Sequence, residues 1–125
     1  MKVIKELTKA EEQIMQVLWK LQKARVQAVI DELEPPKPAY NTVSTIVRIL
    51  EKKGFVGHES KGRAHLYFPL ISRDNYRKFA LDNLVRSYFS GSLSNLVSFF
   101  TQKKNLSHRE LQSIKAIIEE HKNKE

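Results

Sequence analysis

The chain of 125 residues has no cysteine. This excludes disulfides, thiolate nucleophiles, iron–sulfur ligation and thiolate zinc sites together, and it fits a reducing, cytoplasmic setting. No run of about 18 apolar residues occurs, so no membrane-spanning helix is expected. The opening Met1-Lys2-Val3-Ile4-Lys5-Glu6 is charged where a secretory signal would be apolar. Glycine is scarce, four in all, and the sequence contains neither a phosphate-cradling glycine loop nor a nucleophile elbow. His58, His65, His108 and His121 have no carboxylate spacing that builds a triad or a zinc motif. No enzyme, metal or cofactor is expected.

Positive charge is what the chain has in excess: 22 Lys and Arg against 14 Asp and Glu, a net of +8. Its distribution carries more than its total. Residues 1–36 balance, six basic against six acidic, and residues 105–125 balance at four each. Residues 37–63 hold Lys37, Arg48, Lys52, Lys53, Lys61 and Arg63 against Glu51 and Glu59. Residues 70–104 again hold six basic and two acidic side chains. A solvated face is one reading of each block. Concentration of the first on one helix and the loop after it points to a phosphate-facing surface.

Thr8-Lys9-Ala10-Glu11 has the form of a capping box and opens a helix whose Ile14, Met15, Leu18, Trp19 and Leu21 face a core. A short second helix is expected from about Gln27 to Leu33. Pro35, Pro36 and Pro38 then forbid helix, each lacking an amide donor. The third helix, Asn41 to Lys53, buries Val43, Ile46, Val47 and Leu50 at i, i+3, i+4 and i+7. Asn41, Thr45, Arg48 and Lys52 fall on the opposite side with Ser44 beside them, and Gly54 suits a left-handed cap. The period then changes. Residues 55–59 and 64–68 read as two strands around a Ser60-Lys61-Gly62-Arg63 turn. Closed symmetrically, that turn sets His58 opposite His65, which reads as ring packing across the strands.

Residues 70–125 are helical in pattern throughout. Ser72 caps a helix to about Phe89, Gly91 breaks it, Ser92 opens a short helix that Asn105 ends, and Ser107-His108-Arg109-Glu110 is a second capping box. Tyr76, Phe79, Leu84, Tyr88, Leu93, Leu96, Val97, Phe100, Leu111, Ile114 and Ile118 line apolar faces too large for three short helices to cover among themselves. Either they pair with the same region of a second chain, the reading taken here, or they pack back on the first domain. The fold expected is mainly α: a winged helix-turn-helix over 1–70, three helices plus a β-hairpin, followed by a three-helix dimerisation domain over 71–125.

With the third helix in a major groove, the Asn41 amide can pair with adenine, Arg48 can fork onto guanine, and Thr42, Ser44 and Thr45 can reach bases or phosphates. The same short polar residues are also ordinary helix caps. Lys52, Lys53, Lys61 and Arg63 are placed as phosphate clamps, or as plain solvated charge. A protein–protein adaptor on the same scaffold is the alternative, since fold alone does not fix function.

These residues resemble the penicillinase and methicillin-resistance repressor family of bacterial winged-helix regulators. The matching text is Leu7-Thr8-Lys9-Ala10-Glu11, Val17-Leu18-Trp19, Asn41-Thr42-Val43-Ser44-Thr45, Leu50 to Phe55, Lys61 to Leu70, Ser72-Arg73 and Gly91-Ser92-Leu93. The resemblance implies a homodimer on an operator dyad that blocks transcription, with Thr42, Ser44, Thr45, Arg48 and Arg63 at the DNA. It also implies, for some members, inactivation through a membrane metalloprotease sensor for β-lactams that is encoded nearby, with cleavage falling here between Phe99 and Phe100. The cleaved members carry Asn before that Phe, where this chain has Phe99. Copper-responsive relatives use cysteine pairs, which this chain lacks.

Overall fold

In a computed structural model, which describes residues 4–103 and 106–123, both halves of the first capping box form. The Glu11 amide donates to Thr8 Oγ1 at 3.2 Å and the Thr8 amide to Glu11 Oε1 at 2.8 Å. They start α1, Lys9–Leu21, whose Ile14, Met15, Leu18 and Trp19 are buried. Then come α2, Val26–Glu32, and α3, Tyr40–Lys52. Strands β1, Val56–Lys61, and β2, Ala64–Pro69, form one antiparallel hairpin, and α4, Arg73–Tyr88, α5, Leu93–Lys103, and α6, His108–Asn123, follow. Among the described residues no helix is long and apolar enough to cross a membrane. The chain divides into two compact units between Leu81 and Asp82, inside α4.

The core of the first unit joins α1, α2 and α3 through Met15, Leu18, Val29, Val43, Val47 and Leu50, closed by Phe55 and Val56 at the start of the hairpin. Gly54 adopts φ +88°, and the Phe55 amide returns to the Leu50 carbonyl at 2.9 Å, which ends α3 and turns the chain into β1. Both α2 and α3 begin on residues that give no side-chain cap, Arg25 and Ala39. The C-terminus of α2 is held by Lys37, whose ammonium donates to the Ile30, Asp31 and Leu33 carbonyls at 3.1, 2.9 and 2.8 Å. One cation of the first basic block is thereby consumed in building the fold.

The hairpin departs from the expected register. Its turn is the two residues Gly62-Arg63, with Gly62 at φ +64°, and Lys61 pairs with Ala64. His58 therefore pairs with Tyr67 and Ser60 with His65. The His58 and His65 rings still meet, as diagonal neighbours on one face, stacked at 4.4 Å with planes 10° apart. A short bridge absent from the sequence reading ties β2 to the α1–α2 connection: the Ala24 amide donates to the Tyr67 carbonyl at 2.9 Å and the Tyr67 amide to the Ala24 carbonyl at 2.8 Å.

Two residues expected in a dimer interface belong instead to the core of the first unit. The Leu7 amide donates to the Tyr76 hydroxyl at 2.9 Å, and the Tyr76 ring packs on Trp19, Phe55 and Phe79. Trp19 Nε1 donates to the Ile71 carbonyl at 2.9 Å. The first turns of α4 thus seal the aromatic end of α1, which needs both an apolar cover and a hydrogen-bond acceptor for its indole.

In the second unit, Ser92 and Ser107 accept from the Asn95 and Glu110 amides at 3.1 and 3.0 Å, each satisfying a helix start. Of the box expected at Ser107, only this half forms among the described residues. Asn105, expected to end the fifth helix, lies outside the described residues. The ring of Phe89, the residue after α4, packs on that of Phe99 in α5 at 5.6 Å. Neither α5 nor α6 buries a residue.

Candidate nucleic-acid interface

The buried stripe of α3 leaves its other side to solvent. Asn41, Thr42, Thr45, Arg48 and Lys52 are exposed and Ser44 is half-buried. Because α3 starts at Tyr40 on Ala39, none of Asn41, Thr42 or Ser44 serves as its cap. The Thr45 hydroxyl donates to the Asn41 carbonyl at 2.8 Å, and its oxygen can still accept a hydrogen bond. Arg48 Nε makes a long bond of 3.4 Å to the Ser44 carbonyl, and among the described residues neither terminal nitrogen of its fork has a hydrogen-bond partner.

A groove of about 580 Å³ opens along this helix. One wall is the ridge Tyr40, Ser44 and Arg48, spaced i, i+4 and i+8. The opposite wall is the hairpin, with Arg63, His65 and Tyr67, and Arg25 closes the end at the start of α2. Burial raises the Tyr67 phenol above its ordinary value, and the Glu51 charge adds to the shift, so the hydroxyl stays protonated across the physiological range.

The predicted binding residues sort into three groups. Ser44, Arg48 and Arg63 meet at the groove. Asn41, Thr42, Thr45 and Lys52 lie along the outer face of α3, and Lys61 is exposed at the hairpin tip. Lys53 forms the third group, away from both surfaces. Its ammonium turns inward onto Glu11 Oε1 and Oε2 at 2.9 and 2.8 Å, and its place as a phosphate clamp is withdrawn. The buried Glu11 carboxylate requires a counter-charge, and the end of α3 is where one can reach it. The acids of this region are paired as well: Glu51 with His58, and Glu59 with Lys23 at 3.0 Å.

Two groove residues were not singled out from sequence. Tyr40, 54% exposed, continues the Ser44–Arg48 ridge back by one turn, a signal that a helix start placed one residue earlier would have revealed. Arg25 carries no such signal, because what brings it to the hairpin is a long-range contact, the Ala24–Tyr67 bridge.

Three helices, a hairpin and an open cationic groove between them fit a winged helix. A family model described as penicillinase repressor matches residues 7–120. The chain belongs to the penicillinase repressor family. A penicillinase repressor of Bacillus licheniformis is 31% identical over 125 residues, 99% of this chain and 98% of its own length. The methicillin resistance regulatory protein MecI of Staphylococcus aureus (strain N315) is 25% identical over 114 residues, covering 90% and 93%. Among solved structures, the DNA-binding domain of the repressor BlaI matches 61% of this chain and 94% of its own, with 34% identity and a TM-score of 0.53. The monomeric form of Bacillus licheniformis BlaI in complex with the blaP half-operator matches with the same identity and coverage at 0.50. The penicillinase repressor family comprises DNA-binding transcriptional repressors and not enzymes.

Proposed function

We propose that the protein is a dimeric transcriptional repressor that binds a palindromic operator through α3 and the hairpin wing, and that it controls genes of the β-lactam-resistance type. The observation that carries this reading is the outer face of α3, polar near its start and cationic toward its end, beside a wing tipped by Lys61 and Arg63. Kinship with a penicillinase repressor and with MecI supports the choice of genes, and the half-operator complex of BlaI supports DNA as the partner. Arg48 is the base reader in this scheme. Lys52, Lys61 and Arg63 hold phosphates and fix register.

Dimerisation is proposed through the second unit, where Tyr88 is 77% exposed and Leu84, Leu93, Val97, Phe100, Leu111 and Ile118 are also exposed. Leu96 and Ile114 are half-buried beside them. Apolar surface of this extent on three short helices calls for a partner surface. Two joined copies would offer two α3 helices to half-sites about 34–36 Å apart, one turn of duplex. Light scattering at micromolar concentration should return twice the 14.6 kDa chain mass, and a monomer there would sink the dimer. Release would come from proteolysis between Phe99 and Phe100 by a membrane metalloprotease sensor. That bond sits within α5, so the protease must meet it locally unfolded.

The test of the DNA reading compares two variants on a promoter fragment and on an unrelated duplex. Arg48→Ala should cost roughly 1–3 kcal/mol of discrimination while keeping most non-specific binding. Lys61→Ala should weaken both duplexes by the same factor. Identical behaviour of the two variants would overturn this division of labour, and an absence of DNA binding by the unaltered protein would favour an adaptor.

A further inference from the structure

Three arginines from three distant stretches of chain surround one groove, and among the described residues no carboxylate lines it. Arg48 comes from α3, Arg63 from the hairpin turn, and Arg25 from the start of α2. Neither Arg25 nor Arg63 makes an ion pair or side-chain hydrogen bond among the described residues, and the Arg48 fork is open at both terminal nitrogens. The acids of α3 and β1 are committed elsewhere, Glu51 to His58 and Glu59 to Lys23. Like charges gathered without counter-ions focus positive potential along the groove. The Arg25 and Arg63 guanidinium groups each present a planar fork that matches phosphate oxygens.

Arg25 is also misplaced as a purely structural residue. It occupies the N-cap of α2 and gives no cap bond, at a position where serine, threonine, aspartate or asparagine would stabilise the helix. A cation there faces the positive end of the helix dipole, a cost with no return inside the fold. The paired Ala24–Tyr67 amides nonetheless hold it against the wing, facing the same space as Arg48 and Arg63.

The groove runs between the two elements that the proposed function brings to DNA. The anion that fits between a helix in a major groove and a wing beside it is the strand of backbone that separates them. Resting on that reading, we propose that the groove seats one strand's sugar–phosphate backbone, with Arg25 a phosphate-contacting residue that positions the protein without reading sequence. It then acts with Arg63 on the backbone, while Arg48 reaches on from the same groove to the bases.

The full-length protein is titrated at several salt concentrations with two labelled duplexes, one the promoter fragment and one of fixed unrelated sequence. Arg25→Gln should make the log-affinity against log-salt slope shallower by about 0.9 per protomer, on both duplexes alike. Over a fourfold rise in salt that is a roughly 3.5-fold smaller loss of affinity for each protomer. Arg25→Lys should restore most of the slope, since it keeps the charge. Thermal stability should not fall in either variant, because Arg25 is exposed and its side chain makes no hydrogen bond or ion pair among the described residues. An unaltered slope in Arg25→Gln would overturn the assignment of Arg25, as would a loss confined to the promoter fragment, which belongs to a base reader. Failure of the unaltered protein to bind either duplex would instead overturn the DNA reading on which the proposal rests.

Discussion

Lys53→Met should lower the stability of the first unit by about 3 kcal/mol, a fall in Tm of roughly 10–20 °C for a unit of this size. The cause is the partner left behind. Glu11 has a side chain only 6% exposed, and its two carboxylate oxygens receive the Lys53 ammonium at 2.9 and 2.8 Å. Removing the ammonium strands a buried charge, whereas the exposed pairs Lys20–Glu32 and Lys23–Glu59 contribute little and should tolerate truncation. Replacing both partners, as Glu11→Gln with Lys53→Met, should recover most of the loss, because the amide oxygen can still accept from Thr8 and no charge is left unpaired. A double variant as unstable as the single one would refute this account.

The pH dependence follows from the same carboxylate. Burial by itself raises the Glu11 value, but the Lys53 hydrogen bonds, the Thr8 amide and the Lys53 charge more than offset it, so the net shift is below the ordinary 4.5. A group lowered in the folded state contributes stability that is present above its unfolded value and lost as pH falls through its folded value. The stability difference between the unaltered protein and Glu11→Gln, followed by thermal unfolding, should therefore be constant near neutrality and shrink below about pH 4.5.

Raising salt from about 50 to 200 mM should weaken DNA binding by roughly a thousandfold. If Lys52, Lys61 and Arg63 each hold a phosphate, a dimer neutralises about six, which gives a log–log slope near −5. Seating Arg25 as well steepens it further. Counter-ion release scales with the number of phosphates neutralised and not with net charge, so the balanced residues 1–36 and 105–125 add nothing to the slope except through Arg25. A flat slope in an anisotropy titration would remove the phosphate clamps altogether.

The candidate interface was legible in sequence wherever its geometry depended on neighbours along the chain. The i, i+3, i+4, i+7 spacing of Val43, Ile46, Val47 and Leu50 fixed which side of α3 is buried, and so which polar residues face outward. Gly54 and the Thr8–Glu11 box marked helix ends because capping is a local hydrogen-bond problem. Contacts with distant partners are not legible in sequence. Lys53 looked like one more cation of a basic block, since nothing nearby announces a buried Glu11 at a separation of 42 residues. Tyr76 read as interface because its partners, Leu7, Trp19 and Phe55, lie far back in the chain. The hairpin slipped from the expected register because a two-residue turn at Gly62-Arg63 closes more tightly than a four-residue one.

Sequence by itself therefore determined the periodic elements, the polar face of α3, the basic wing tip and, through the absence of cysteine, the exclusion of thiol chemistry. The tertiary structure alone decided how the charge divides. Lys37 and Lys53 are spent on a helix end and a buried acid, while Arg25, from a stretch with no net charge, is added to Arg48 and Arg63. The physical reason is that periodicity says which side of an element faces solvent. Which charges share one groove depends on contacts such as the Ala24–Tyr67 bridge, made between residues 43 positions apart in the chain.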